Sequence, residues 1–272
     1  MMTAHTRQDP FSIVVEVVPP ASHDTGSLLA ALSDVRDLPF ERFSVATNPV
    51  ARPRMSALAL AVLLQQQVDK PATLHCTTRD HNRLGVQSLL WGARALGIDS
   101  VLAATGDFVA LTRRGRITTV RDVDVFGLVR MAREAGMKTG VVLDSRPELN
   151  RLEHEVRRLE NKIEAGAQYV VTQPVYNEAA VRMLYDATRH IPVPISLGVL
   201  PLRSARHARF LHDKVAGIAV PQAVRERLER ASDPVAEGTA NAQEVLGAAR
   251  QWFAGACIMP AFNHYEVLFD LL

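Results

Sequence analysis

Cysteine is scarce in this sequence: 272 residues contain only Cys76 and Cys257, each alone in an apolar or strand-like stretch. Neither belongs to the CxxC spacing of a metal site, so the expectation is two buried structural thiols in a reduced, cytoplasmic chain with no bound metal. An excess of charge of one sign is missing too. Lys and Arg number 31 against 29 Asp and Glu, a net of +2, which provides no strong field for nucleic acid or anionic lipid. No apolar run reaches the about 18 residues that a membrane span needs, and MMTAHTRQDP lacks the apolar core of an export signal. Also absent are a GxGxxG after the first strand pattern, a phosphate-binding loop and the GxSxG of a serine hydrolase. These absences leave a small-molecule site as the feature to look for.

What the chain does contain is alternation. Short β-branched runs, FSIVVEVV, ERFSVAT, ATLHCT, SVLAAT, TGVVL, YVVTQP, ISLGVL and ACIMPAF, are separated by segments of helical period such as SALALAVLLQQQV, HNRLGVQSLLWGARAL and LNRLEHEVRRLENKIEA. In RALGIDSVLA, REAGMKTGVV and IEAGAQYVVT a glycine (Gly97, Gly136, Gly166) follows the helical pattern and a strand begins shortly after, as in repeated αβ loops. Strands that alternate with helices form a parallel sheet, and eight such units predict a (β/α)8 TIM barrel. An open doubly wound sheet is the alternative, weakened by the missing GxGxxG. The stretch from Ser204 to Gly255 has room for two or three helices, read as a decoration of the barrel between strands 7 and 8. Residues 1–272 are thus expected to be one catalytic domain, with no regulatory domain appended.

One residue breaks the pattern. Glu16 lies inside the apolar run FSIVVEVVPP, where an unpaired buried carboxylate is costly. Because barrel chemistry sits at the C-terminal strand ends, the strand list becomes a list of candidate site residues. In order these are Glu16; Asn48 with the basic loop NPVARPR; His75; Gly106 and Asp107; Asp144; Gln173; Arg203 beyond Pro201; and Asn263 with His264. Each also has a structural reading. Glu16 can pair with Arg52 or Arg54, His75 can be a satisfied barrel histidine, Asp107 can close a turn, and Gln173 can satisfy loop backbone. None of the set has metal-ligand spacing. Carboxylates, amides and an imidazole around an apolar cavity suit a flat heterocycle and the transfer of a proton or hydride.

Several of these segments carry a family resemblance. VVEVVPP, VATNPVARPR, TLHCTTRD, VLAATGD, KIEAGAQYVVTQPVYN, LGVLPL and FNHYEVLFDLL resemble, in order and spacing, the catalytic domain of methylenetetrahydrofolate reductases. The resemblance implies a (β/α)8 barrel that reduces 5,10-methylenetetrahydrofolate to 5-methyltetrahydrofolate with electrons from NADH or NADPH, usually through FAD, within one-carbon metabolism and methionine biosynthesis. It further implies Glu16 as the general acid that opens the folate ring to an iminium cation. Asp107 would bind the pterin and influence the charge of the electron donor, Gln173 would hydrogen-bond the folate or contact the nicotinamide, and Asn263 would also be on the folate. Asn48, His75, Thr105, Gly106 and Lys162 would line the cofactor side, Lys162 on a helix that contacts phosphate or else simply solvated.

The chain departs from the family where flavin is held. After strand five, VVLDSRPELNR keeps only Pro147 and Glu148 of a Tyr-Pro-Glu and His-Pro-Glu pattern, with Val142 and Arg146 in the places of the Tyr and His. FVALTRRGRITTVRDVDVFG lacks the family's Tyr, and the loop after strand two has Thr47, Pro49 and Val50 where small residues are common. The expectation is therefore weak FAD binding or none, with hydride passing directly from the nicotinamide to the folate. A conventional FAD-dependent reductase and a folate-binding accessory protein without activity are the alternatives. A folate-dependent methyltransferase is disfavoured by the missing zinc-binding cysteines.

Overall fold

A computed structural model of the chain describes residues 10–107, 118–144, 152–215 and 217–272. The altered loop FVALTRRGRI and the stretch SRPELNR lie outside the described residues, as do the first nine positions. Eight parallel strands hydrogen-bond in sequence order and close into a barrel. They are β1 (Ser12–Val17), β2 (Arg42–Val45), β3 (Ala72–Thr77), β4 (Ser100–Ala104), β5 (Lys138–Leu143), β6 (Tyr169–Pro174), β7 (Ile195–Val199) and β8 (Gly255–Ile258). Every strand predicted from the sequence is present. The last is shorter than ACIMPAF suggests, because Pro260 has no N–H to donate to a ladder and the chain turns away, with Phe262 and Asn263 at positive φ.

Side-chain alternation divides each strand between two cores. On β1, Ile13, Val15 and Val17 are buried among the surrounding helices, whereas Val14 faces the barrel axis with Leu102, Val142, Tyr169, Val171, Cys257 and Met259. The Tyr169 ring fills the lower interior. Its hydroxyl lies 3.1 Å from Ser100 Oγ and donates to the Val101 carbonyl at 3.0 Å. Gly140 on β5 makes this possible, since a methyl there would collide with the ring. This plug is the floor on which the upper layer rests, and Glu16 is one step above Val14 on β1.

The helices are α1 (Gly26–Asp34), α2 (Ala57–Leu63), α3 (Arg83–Ala95), α4 (Val125–Glu134), α5 (Leu152–Glu164), α6 (Glu178–Thr188), α7 (Ala205–Lys214), α8 (Gln222–Arg230), α9 (Pro234–Trp252) and α10 (Leu268–Leu271). Asn82, Asp124, Asn177 and Ser204 start four of them, each side chain accepting from the N–H three residues on. At the other ends, Gly97, Gly136 and Gly166 have φ of +81°, +74° and +116°, the left-handed stops expected of the repeated junctions. The decoration between β7 and β8 resolves into α7 and α8, while α9 packs on α6, β7 and β8 as a barrel helix. Pro221 and Pro234 mark the starts of α8 and α9. Together with Tyr176 and Leu202, residues of α7 and α8 form a small satellite core outside the barrel.

Candidate active site

The barrel mouth has two unlike sides. On the first, β1 presents Glu16 toward the axis, in register with the buried Ser44 of β2. Burial, and then the negative charge of Asp107, push the Glu16 carboxyl from 4.5 up to about 7. Around it are Cys257 of β8, whose thiol is raised by burial and then by Glu16, and Tyr265, whose hydroxyl is raised by the same two causes. Neither Arg52 nor Arg54 forms an ion pair with Glu16 among the described residues. Glu16 therefore holds its proton near neutrality because no cation offsets its loss of water.

The second side is assembled from the loops after β2, β3 and β4. Arg79 is its hub: Nε and Nη2 grip both oxygens of Asp80, at 2.6 and 2.8 Å, while Nη2 also donates to the Asn48 carbonyl and Nη1 to the Asp107 carbonyl. Asp80 further accepts from Thr77 Oγ1 at 3.0 Å and Asn48 Nδ2 at 3.2 Å. Burial alone would raise its pKa, yet the hydrogen bonds from Arg79, Asn48 and Thr77 and the Arg79 charge outweigh burial and hold it below the usual carboxylate value. Asp107 Oδ2 accepts the Val50 N–H at 2.5 Å. That bond spans to a strained turn in which Asn48, Val50 and Ala51 all have positive φ, an unfavourable conformation for a β-branched valine. Gly106, at φ +84°, is required here: a Cβ would lie 3.1 Å from Arg79 Cβ and 3.2 Å from Thr77 Cβ.

Between the two sides lies His75 of β3. Its Nε2 is 2.6 Å from Ser44 Oγ, and burial lowers its pKa to about 4, so the imidazole is neutral. Thr47 Oγ1 donates to the His75 carbonyl at 2.5 Å, tying the β2 loop to β3. Glu16, Asn48, His75, Gly106 and Asp107 are thus brought together at one rim. Gln173 stands at the top of β6, where the pairing with β7 is irregular between Val171 and Pro174, and its side chain packs over Gly217. Thr105 is exposed beside Gly106 and its carbonyl accepts from Thr78 Oγ1. Asn263 is exposed on the turn after β8, next to Phe262, whose ring packs at a tilt against His207 with 4.9 Å between centroids.

Lys162 is neither solvated nor directed at the mouth. It is buried between α5 and β5, its Nζ donating to the Val142 carbonyl at 2.7 Å. Burial and Arg158 lower its pKa to about 8 against the opposing charges of Glu155 and Asp144. Arg79, Asp80 and Ser44 carry much of the site's order without having been singled out from the sequence. The available signal was the Arg-Asp pair that closes TLHCTTRD directly after a strand. A protonated acid, a neutral imidazole and an anchored carboxylate around an apolar floor can receive a planar heterocycle and give it a proton.

Comparison with known proteins adds to this geometry. The family model described as methylenetetrahydrofolate reductase matches residues 1–247. A protein of Schizosaccharomyces pombe named methylenetetrahydrofolate reductase 2 is 26% identical over 192 residues, 64% of this chain. The matched region is 30% of the yeast protein, so the chain spans less than a third of that relative's length. Among solved structures, an uncharacterized protein from Clostridium thermocellum that binds two copies of 5-methyl-5,6,7,8-tetrahydrofolic acid superimposes with a TM-score of 0.71 at 15% identity, covering 96% of this chain and 93% of its own. A 2,3-dimethylmalate lyase superimposes with a TM-score of 0.56 at 13% identity, covering 97% of this chain and 80% of the lyase. At such identities the two structures speak for the barrel fold alone.

Proposed function

The chain belongs to the methylenetetrahydrofolate reductase family, and on that premise we propose that it reduces 5,10-methylenetetrahydrofolate to 5-methyltetrahydrofolate with hydride from NADH or NADPH. The observation that carries this reading is Glu16, an acid with a pKa of about 7 at the C-terminal mouth of a parallel barrel. Methylenetetrahydrofolate accepts hydride only after one of its bridging nitrogens is protonated and leaves, opening the five-membered ring to an iminium cation. Glu16 supplies that proton. The carboxylate it becomes, together with Asp107, then faces the new positive charge in surroundings of low dielectric, where such stabilisation is strong. His75, kept neutral, lines the pocket without repelling the cation. A tetrahydrofolate substrate is also in keeping with the ligand of the C. thermocellum protein.

The nicotinamide supplies the hydride in this reading, without flavin as relay. Two side chains that the family resemblance puts on the flavin side already have protein partners. The Asn48 amide is held between Asp80 and the Arg54 N–H, and the Lys162 ammonium is spent on the Val142 carbonyl. Those engagements support the flavin-free reading. The buried free thiols Cys76 and Cys257 accord with the reducing cytoplasm we propose as its compartment, and no helix among the described residues is long and apolar enough to cross a membrane.

The test is NADH oxidation by purified protein with and without methylenetetrahydrofolate and with no flavin added. A folate-dependent rate from protein lacking the visible flavin band is the expected result. A stoichiometric flavin band would replace direct transfer with the flavin-dependent route, and folate binding with no folate-dependent rate would make the chain a folate carrier.

A further inference from the structure

Outside the barrel, behind the end of β6, a cavity of about 270 Å³ opens between α6 and the segment that leads into α8. Pro174, Val175, Met183, Leu184 and Val220 give it apolar walls. Its polar lining is unusual. Tyr176, His212 and Arg225 all border it, and the Tyr176 hydroxyl, His212 Nδ1 and Arg225 Nε are each buried without a hydrogen-bond partner among the described residues. Tyr176 is only 1% exposed, and burial holds its hydroxyl protonated far above the usual tyrosine range. Buried polar atoms are nearly always paired, so three orphans on residues around one cavity mark an unfilled set of hydrogen-bonding groups, two of them donors.

The same cavity meets the start of α8. Pro221 is the N-cap residue and Gln222 opens the first turn; both line the cavity, and no side chain caps that helix end. Uncapped N–H groups and the positive end of the helix dipole favour an anion. The two carboxylates of α8 are both engaged, Glu226 by Gln222 Nε2 at 2.8 Å and by Arg230, and Glu229 by Arg209. A guanidinium, a phenolic hydroxyl, an imidazole and a helix N-terminus in a lining that also holds valine, leucine and methionine call for a ligand with an anionic head and an apolar body.

We propose that this cavity is a second binding site, specific for a small carboxylic acid with an apolar or aromatic body. The carboxylate accepts from Arg225, Tyr176 and the first turn of α8, and the body packs against Val175, Met183, Leu184 and Val220. The site reaches the barrel mouth through one backbone position. Gly217 lines the cavity, and a Cβ on it would lie 3.2 Å from Cδ and Nε2 of Gln173. The proposal stands whether or not the chain reduces folate.

Phenylacetate and its neutral amide, phenylacetamide, are suitable probes for titration calorimetry and thermal melting of the full chain. Saturable binding of the acid, at least roughly tenfold tighter than the amide, is expected. Arg225→Met should weaken phenylacetate roughly tenfold or more, and Met183→Trp should abolish binding by filling the space. Tyr176→Phe gives a signature that a purely structural role does not: it should weaken the acid yet raise the melting temperature of the unliganded chain, because it removes an unpaired buried hydroxyl. Absence of saturable binding overturns the proposal. So does equal affinity for acid and amide, or binding that survives both Arg225→Met and Met183→Trp.

Discussion

Two carboxylates at the same barrel mouth are treated in opposite ways. Glu16 projects from a strand into apolar surroundings, with the negative Asp107 as its electrostatic neighbour, and its pKa rises to about 7. Asp80 follows the end of β3, where Arg79, Asn48 and Thr77 all donate to it, and its pKa falls. Both lose water on folding. The difference is that one is left unpaired and keeps its proton, while the other is paired and becomes the fixed anion that holds Arg79, the link between three loops. A site that must donate a proton to a heterocycle and also hold its own shape needs one group of each kind.

Glu16→Gln has the largest expected effect, because it keeps the shape and removes the proton. Folate-dependent NADH oxidation should fall by about 10²- to 10⁴-fold, and the wild-type rate should decline as pH rises through about 7 whereas the residual variant rate should not. Breaking the other side, Arg79→Met leaves Asp80 as an uncompensated, largely buried charge. Urea denaturation should show a loss of about 3–5 kcal/mol, with a raised KM as the loops after β2 and β4 lose their common anchor.

A subtler contrast lies in stability against pH. The folded pKa of Glu16 lies above its unfolded value, so its favourable contribution is complete below about 4.5 and is lost as pH rises through about 7. Wild-type protein should lose on the order of 1–3 kcal/mol from this group between about pH 5 and about pH 8. Glu16→Gln should flatten that slope, an effect read from urea midpoints at the two pH values. The smallest effect concerns the strained turn. Val50, exposed and at φ +50°, should be relieved by Val50→Asn, since asparagine tolerates the left-handed region. A gain of about 1 kcal/mol is expected from the melting temperature, with the Asp107 contact to the backbone N–H preserved.

Much of this architecture was legible along the chain. The strand runs, the glycines that stop the helices and the polar residues at strand ends are local signals, and each is present where the pattern places it. What could not be read is direction and pairing. Lys162 sits on a strongly charged helix and reads as solvated or phosphate-binding, yet the helix turns it under β5, where a backbone carbonyl takes its ammonium. Asp107 reads equally as a turn-closing residue and a ligand-binding one, and it holds the strained turn after β2 while also acting electrostatically on Glu16. Arg79 looks like any loop arginine until Asn48 and Asp107 are found on either side of it.

Hydrophobic period and helix stops act over a few residues, so the order of amino acids alone set the repeating β/α units and, with them, which side chains stand at the mouth. Their protonation and pairing were set by the folded arrangement. The acidity of Glu16, the anchoring of Asp80 and the unpaired donors behind β6 depend on lost water and on neighbours brought from distant strands by closure of the barrel.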